Sequence, residues 1–293
     1  MEYWVKTKCG NEIRIKDLQI KSLEIYEYFK NFCKKNNLRH FILGGCAIGA
    51  VRHKGFIPWD DDIDIFMPRP DYEKLIEIWN KEADSERFPL CRTDLEHNYH
   101  CCATFIKDNN TTFVNEHSIN EDINHGFFID IMPLDGCPKS KLKRFFQIIF
   151  AMIYSLFHAQ RLPNNQGILI RYLAKILLGI VKSPKLRYKI WRFCEKQMTK
   201  YNYDNSDYIT ELVTGLKGLF YRHPKEFFSE IISVPFENTE IYLPIGFEQY
   251  LKRVFGDYLT LPAEKDRIPK HKPYFIDLNT SYKKYKGIYY CKN

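Results

Sequence analysis

From Lys16 to Asn37, Leu23, Tyr26, Phe29 and Cys33 recur at helical spacing among charged residues, predicting an amphipathic helix packed against the sheet that the next strands form. Leu38 to Leu43 is short and apolar, a core strand ending in Gly44-Gly45, and Ala47 to Val51 predicts a short helix leading to the basic Arg52-His53-Lys54. The pattern then switches to a period of two. Ile63 and Ile65 alternate with Asp62 and Asp64, as in a strand with one buried face. Pro68-Arg69-Pro70-Asp71 marks a turn and a helix start, with Tyr72, Leu75, Ile78 and Trp79 on one side.

Farther on, β-like runs around Cys101 to Ile106 and Thr111 to Val114 flank the turn residues Lys107-Asp108-Asn109-Asn110, a hairpin pattern. A third alternating run places Phe128, Asp130 and Met132 opposite Phe127, Ile129 and Ile131, and Asp135 after Pro133 reads as a turn residue. Between Lys139 and Val181 two apolar runs, Phe145 to Phe157 and Ile168 to Val181, are joined by a Pro-Asn turn. Each falls short of the ~20 residues that cross a bilayer, so a helical hairpin is expected. A further amphipathic helix is expected from Leu186 to Tyr201, then short strands and turns from Tyr208 to Asn238, and an exposed basic tail from Lys283. The fold class is α+β: a mixed β-sheet flanked by helices, with an added helical region. The expected divisions are a catalytic core over 1–138, a helical hydrophobic insertion or subdomain over 139–205, and a C-terminal part over 206–293 that completes the catalytic domain.

With 45% hydrophobic and 16% aromatic residues in 293, the chain has ample material for a core, which excludes extensive disorder. Lys and Arg exceed Asp and Glu by 44 − 36 = 8, which favours an anionic nucleotide, glycan or lipid headgroup. The basic residues are dispersed and accompany no nucleic-acid motif, so no nucleic-acid partner is expected. Nine scattered cysteines without a C-x-x-C pair suggest buried thiols in a reducing compartment. The first residues lack the charged-then-apolar layout of a secretory signal. A cytoplasmic protein is expected.

The candidate chemistry is concentrated in Asp60-Asp61-Asp62-Ile63-Asp64. Asp62 and Asp64 would project to one side, where like charges repel unless a cation joins them, and hard divalent ions such as Mg²⁺ take oxygen ligands. The Gly44-Gly45 backbone has no Cβ to keep a phosphate away. An EF-hand loop starting at Asp60 is excluded, because Ile65 and Asp71 stand where Gly and Glu are needed. Asp130 is an isolated carboxylate in an apolar strand, a costly burial that calls for a metal, or for an ion-pair partner at a sheet edge. Arg52 and Lys54 suit either donor phosphates or solvent. His125 reads as structural, and Tyr258 as packed or stacked on a base. Together these features indicate metal-assisted phosphoryl transfer.

The stretch from Gly44-Gly45 through Ala47-Ile48-Gly49-Ala50-Val51-Arg52-His53-Lys54-Gly55-Phe56-Ile57-Pro58-Trp59-Asp60-Asp61-Asp62-Ile63-Asp64-Ile65 resembles the signature of the LicD family of phosphocholine transferases, related to fukutin-type proteins. The resemblance continues through Asn124 to Asp135 and through Glu240 to Pro262, and is weakest in the hydrophobic middle. Cys46 departs from it, standing where the family usually has a small hydroxyl residue. The resemblance implies a nucleotidyltransferase-like fold in which Asp62 and Asp64 hold Mg²⁺, with Mn²⁺ as the alternative. Asp130 would be the third carboxylate, ligating metal or accepting a proton from the acceptor. Gly44, Gly45, Arg52, Lys54 and Lys107 would contact the donor phosphates. The implied donor is a CDP-alcohol, CDP-choline first, and the acceptor a sugar hydroxyl of a cell-surface glycan, capsular polysaccharide or lipopolysaccharide precursor, with release of CMP. The rivals are a nucleotidyltransferase that passes on the nucleotide itself and a catalytically silent subunit of a glycan-assembly complex. For 139–182 two readings stay open: a packed subdomain, or a peripheral contact with the inner face of a membrane.

Overall fold

Buried apolar side chains at helical spacing draw the first long helix onto the sheet, as its pattern predicts. The computed structural model describes residues 2–162 and 167–292. In chain order it contains β1 (Trp4–Lys6), β2 (Glu12–Arg14), α1 (Ile15–Lys35), β3 (Phe41–Ile42), α2 (Gly44–His53), β4 (Asp64–Pro68), α3 (Arg69–Glu82), β5 (Leu90–Cys91), β6 (Thr104–Asp108), β7 (Thr112–Asn115) and β8 (Phe127–Cys137). The three helices α4 (Lys141–Ala159), α5 (Ile168–Ile180) and α6 (Pro184–Met198) come next, then β9 (Tyr208–Thr210), β10 (His223–Pro224), β11 (Ile231–Phe236), β12 (Thr239–Pro244), α7 (Phe247–Phe255) and β13 (Pro273–Asp277). The class is α+β. The chain divides into two compact units, one taking the residues up to Cys91, Phe105–Ile131 and those from Glu226 onward, the other Arg92–Thr104 and Met132–Lys225. The second unit thus contains the helices of the expected 139–205 region and extends beyond it at both ends.

In the first unit β3 runs antiparallel to β4, with Phe41 opposite Phe66 and Ile42 opposite Ile65. β8 pairs with both β4 and β6, and β6 also pairs with β5. The Leu38 to Leu43 strand is shorter than its apolar pattern suggests. The Arg39 amide donates to Asp71 Oδ1 at 3.1 Å instead of to a strand, and helix α2 already begins at Gly44. The hairpin expected between β6 and β7 is not formed either. Lys107 belongs to β6, which pairs elsewhere, while β7 runs antiparallel to β13, with Thr112 opposite Asp277. Both strands are almost wholly buried and so need neighbours that a two-stranded ribbon cannot supply. Trp79, fully buried against Phe32, donates its indole N–H to the Phe88 carbonyl at 2.8 Å.

In the second unit the last residues of β8 run antiparallel to β9, Asp135 opposite Thr210, so Asp135 is a buried strand residue and not the expected turn. Helices α4 and α6 enclose Ala151, Tyr154, Phe157, Trp191, Cys194 and Met198. Arg144 is buried beneath them, donating to Gln147 Oε1 at 2.6 Å, Thr210 Oγ1 at 2.7 Å and the Tyr221 carbonyl at 3.2 Å. The Pro-Asn turn lies outside the described residues. Among the described residues no helix is long and apolar enough to cross a membrane. None of the nine cysteines forms a disulfide.

Helix α2 is held close to the segment that leads into the acidic run. A Cβ on Gly49 would lie 2.4 Å from the Gly55 carbonyl oxygen and 3.1 Å from the Ile57 nitrogen. Gly49→Ala is therefore expected to destabilise the protein by about 1–3 kcal/mol, although Ala favours helix by about 1 kcal/mol. Gly179→Ala on α5, with nothing within 4 Å of its Cβ, is expected to be neutral or to stabilise by up to about 1 kcal/mol. Urea unfolding of the two variants checks the opposite signs; equal midpoints would refute the close packing at Gly49.

Candidate active site

Pairing of β4 with β8 brings the acidic run to Asp130. The Asp130 amide donates to the Ile63 carbonyl at 3.2 Å, so Asp130 lies beside the start of β4, between the positions of Asp62 and Asp64. The expected alternation is realised in burial: Ile63 and Ile65 are 1% and 0% exposed, whereas Asp62 and Asp64 are half-buried. Regular strand begins only at Asp64, and Asp60, Asp61 and Asp62 form the loop entering it.

The glycine pair has a nearer neighbour than a phosphate. A Cβ on Gly45 would fall 1.9 Å from Asp60 Oδ2, and one on Gly44, at φ +63°, would fall 3.1 Å from Asp64 Oδ2. These glycines open the first turn of α2 so that two carboxylates can press against it, where the positive end of the helix dipole favours them. Cys46 in the same turn points its thiol at the Asp62 carbonyl, 3.3 Å away, a contact a hydroxyl could also make.

The electrostatics are those of anions crowded out of water. Burial, with Asp62 next, pushes Asp60 up to about 7. Burial raises Asp130 to about 7 as well, with Asp62 adding to it and His271 and Lys107 opposing. Asp62 is raised and Asp64 raised further, again by burial first; Asp62 and Asp130 both add to Asp64. Two cations reach the cluster from the segment before β13. His271 Nδ1 lies 3.2 Å from Asp61 Oδ1 and 4.0 Å from Asp62 Oδ2, and Lys270 Nζ lies 4.0 Å from Asp60 Oδ1. Burial disfavours the imidazolium, but the Asp61 hydrogen bond and the surrounding carboxylates outweigh it and hold His271 up to about 10.

Compensation is incomplete. Asp60 Oδ2, Asp61 Oδ2 and Asp130 Oδ1 are buried without a hydrogen-bond partner. Orphaned carboxylate oxygens beside further carboxylates are the donor set that a hard divalent cation takes. Ligand atoms of Asp61, Asp62 and His271 also lie within 4.8 Å of one another. With no ion bound, the charged His271 is a counter-ion to these carboxylates.

Residues 37–138 match the family model described as "LicD/FKTN/FKRP, nucleotidyltransferase domain". The chain is 26% identical over 269 residues to the lipopolysaccharide cholinephosphotransferase LicD of Haemophilus influenzae, an alignment covering 89% of this chain and 97% of that protein. Residues 37–138 thus carry a LicD-type domain. Two shorter similarities join it to uncharacterized proteins of Rickettsia prowazekii, 41% identical over 61 residues, and Rickettsia typhi, 43% over 54, which cover 20% and 17% of this chain and 23% and 18% of those proteins. The LicD segment contains Gly44, Gly45, Asp62, Asp64, Lys107 and Asp130 but not Lys270 or His271.

The remaining candidates are placed apart from the carboxylates. Arg52 and Lys54 stand at the far end of α2, about 12 Å along the axis from Gly44 at 1.5 Å per residue. Arg52 Nη1 donates to the Tyr258 and Thr260 carbonyls at 2.9 and 3.3 Å, and Lys54 is an exposed residue in the left-handed conformation. Lys107 is buried, its ammonium 4.8 Å from the Phe128 ring centre and 3.4 Å from the Gly126 carbonyl it donates to. From there its charge opposes the rise of Asp130. His125 is structural as expected, bonded to the Glu121 carbonyl at 3.0 Å. Tyr258 presents its carbonyl to Arg52. Sequence reasoning assigned nothing to Lys270 and His271. The run Pro269-Lys270-His271-Lys272-Pro273 is a visible basic cluster, but nothing local ties it to an acid 210 residues away.

Groups whose folded pKa is raised stabilise the fold below that pKa. For Asp60 and Asp130 this contribution is complete near the unfolded value of 3.8 and is lost as pH rises to about 7; for His271 it fades between 6.5 and about 10. The chelator-treated protein is therefore expected to melt at lower temperature at about pH 8 than at about pH 5, by an amount worth a few kcal/mol, and millimolar Mg²⁺ to restore most of the loss. Thermal unfolding across pH with EDTA or Mg²⁺ measures this. A flat EDTA profile, or no effect of Mg²⁺ or Mn²⁺, would count against a cation site.

Proposed function

We propose that this protein transfers a phospho-alcohol group, phosphocholine first, from a CDP-alcohol to a sugar hydroxyl of a lipopolysaccharide or other cell-surface glycan precursor, releasing CMP. The observation that carries the reading is the meeting of Asp62, Asp64 and Asp130, with the Asp130 oxygen orphaned and buried, inside the segment that matches LicD. The substrate class is supported by the Haemophilus influenzae relative, which is named for cholinephosphate transfer to lipopolysaccharide and aligns over nearly its whole length. We take the first unit to be the nucleotidyltransferase-like part.

Asp62, Asp64 and Asp130 would hold Mg²⁺, or Mn²⁺ in its place, which when bound supplies positive charge to the donor pyrophosphate. The chain's own groups do the rest. Asp130, beside the start of β4, either completes the set that holds the ion or takes the proton of the acceptor hydroxyl. The freed oxygen forms a bond to the phosphorus bearing the alcohol, the bond from that phosphorus to the CMP oxygen breaks, and its electron pair leaves with CMP. Lys270 and His271 face the carboxylates as cations and are suited to steady the departing phosphate. Positioning and charge thus account for the acceleration, with no covalent intermediate.

Incubation with CDP-choline, CDP-ethanolamine, CDP-ribitol or CDP-glycerol, a glycan acceptor and Mg²⁺ is expected to release free CMP with one of these donors. Asp62→Asn and Asp130→Asn should each lower the rate about 10³-fold without lowering the melting temperature. An acceptor that carries the nucleotide would instead establish nucleotidyl transfer, and no turnover with any donor would favour a silent subunit.

A further inference from the structure

Helix α5 buries one side chain, Ala174, and turns almost everything else outward. Ile168, Leu169, Tyr172, Leu173, Ile176, Leu177 and Ile180 are all exposed, Ile168 to 90%, Ile180 to 74% and Leu169 to 71%. At 100° per residue they occupy about half of the helix circumference, whereas Ala174 and Leu178 mark a narrow inner stripe and Arg171 and Lys175 border it. On α4 of the same unit Leu142, Phe145 and Phe146 are exposed as well, at 66%, 57% and 48%. Apolar faces of this extent are not left to water in ordinary soluble surfaces.

The charge around these faces has one sign. The 59 residues from Gly136 to Cys194 contain twelve Lys and Arg and no Asp or Glu. Lys141, Lys143, Lys182, Lys185 and Lys189 are exposed, and the next acid, Glu195, is bonded to Arg92 and Arg192. Such a fringe tells the occupants apart. A second copy would set exposed lysines against exposed lysines, and protein interfaces are depleted in Lys. A nucleic acid would satisfy the charges but not the leucines. An anionic bilayer surface takes both, burying the apolar face among acyl chains while the lysines meet headgroup phosphates. At 13 residues α5 is about 20 Å long, too short to span the membrane but suited to lie in its plane.

We propose that α5, with the lysines on it and directly after it, is an interfacial binding surface for anionic phospholipid membranes. The proposal is independent of the reaction, since vesicle binding needs no substrate. The full chain is sedimented with vesicles of phosphatidylcholine alone or with about 30 mol% phosphatidylglycerol. The expected result is partition onto the anionic vesicles only, falling at least about tenfold between about 0.05 and about 0.5 M NaCl and at least about tenfold in Leu169→Glu/Leu173→Glu. Lys175→Gln/Lys182→Gln/Lys185→Gln, which leaves the apolar face intact, should lose about fivefold per charge and carries the test if the first variant does not keep the wild-type circular dichroism and melting curve. A tryptophan at Leu173→Trp should be quenched by brominated lipid. The proposal is overturned if the wild-type chain does not sediment with anionic vesicles, if the lysine variant partitions as the wild type does, or if sedimentation equilibrium shows a dimer that Leu169→Glu/Leu173→Glu dissociates.

Discussion

Five carboxylates, those of Asp60, Asp61, Asp62, Asp64 and Asp130, are brought together where little water remains to screen them. Mutual repulsion and lost hydration both oppose their ionisation, and the raised pKa of four of them records that cost. The surrounding structure can be understood as the means of tolerating it. Gly44 and Gly45 remove the Cβ atoms that would collide with Asp64 and Asp60, the first turn of α2 offers its positive end, and His271 and Lys270 bring charge from a distant segment. Lys107 supports Asp130 from a buried position among aromatic rings. Orphaned oxygens remain after all of these, which leaves a role for a divalent cation.

This arrangement separates two kinds of basic residue that look alike in a sequence. Lys270 and His271 face the acids, whereas Arg52 holds backbone carbonyls of the segment after α7 and Lys54 caps the far end of α2. A helix of ten residues is long enough that its two ends cannot serve one small cluster. Gly44-Gly45, expected beside a phosphate, also leaves room for protein carboxylates, since a Cβ on either would meet Asp64 or Asp60. The helical part of the second unit obeys a different logic. Its core is closed between α4 and α6, with Arg144 of α4 buried and hydrogen-bonded to Gln147 and Thr210, so the outward leucines of α5 do not serve that core.

Much of this was legible in the chain itself, because alternation and spacing are local properties. Ile63 and Ile65 against Asp62 and Asp64, the helix carrying Tyr26 and Phe29, and the long LicD-like stretch sufficed for the α+β class and the LicD-type domain, and the isolated Asp130 in an apolar run marked the strand that lies beside β4. What tertiary structure alone decided was pairing across sequence: which strand lies beside β4, that β7 joins β13 and not β6, that Asp135 continues a strand, and that His271 returns across 210 residues to Asp61. Periodicity states which face of an element is apolar but not which neighbour covers it, and charge in a sequence carries no distance. Those two quantities, partner and distance, are set by the packing of the whole unit, and they separate the cations at the carboxylates from those that only share their charge.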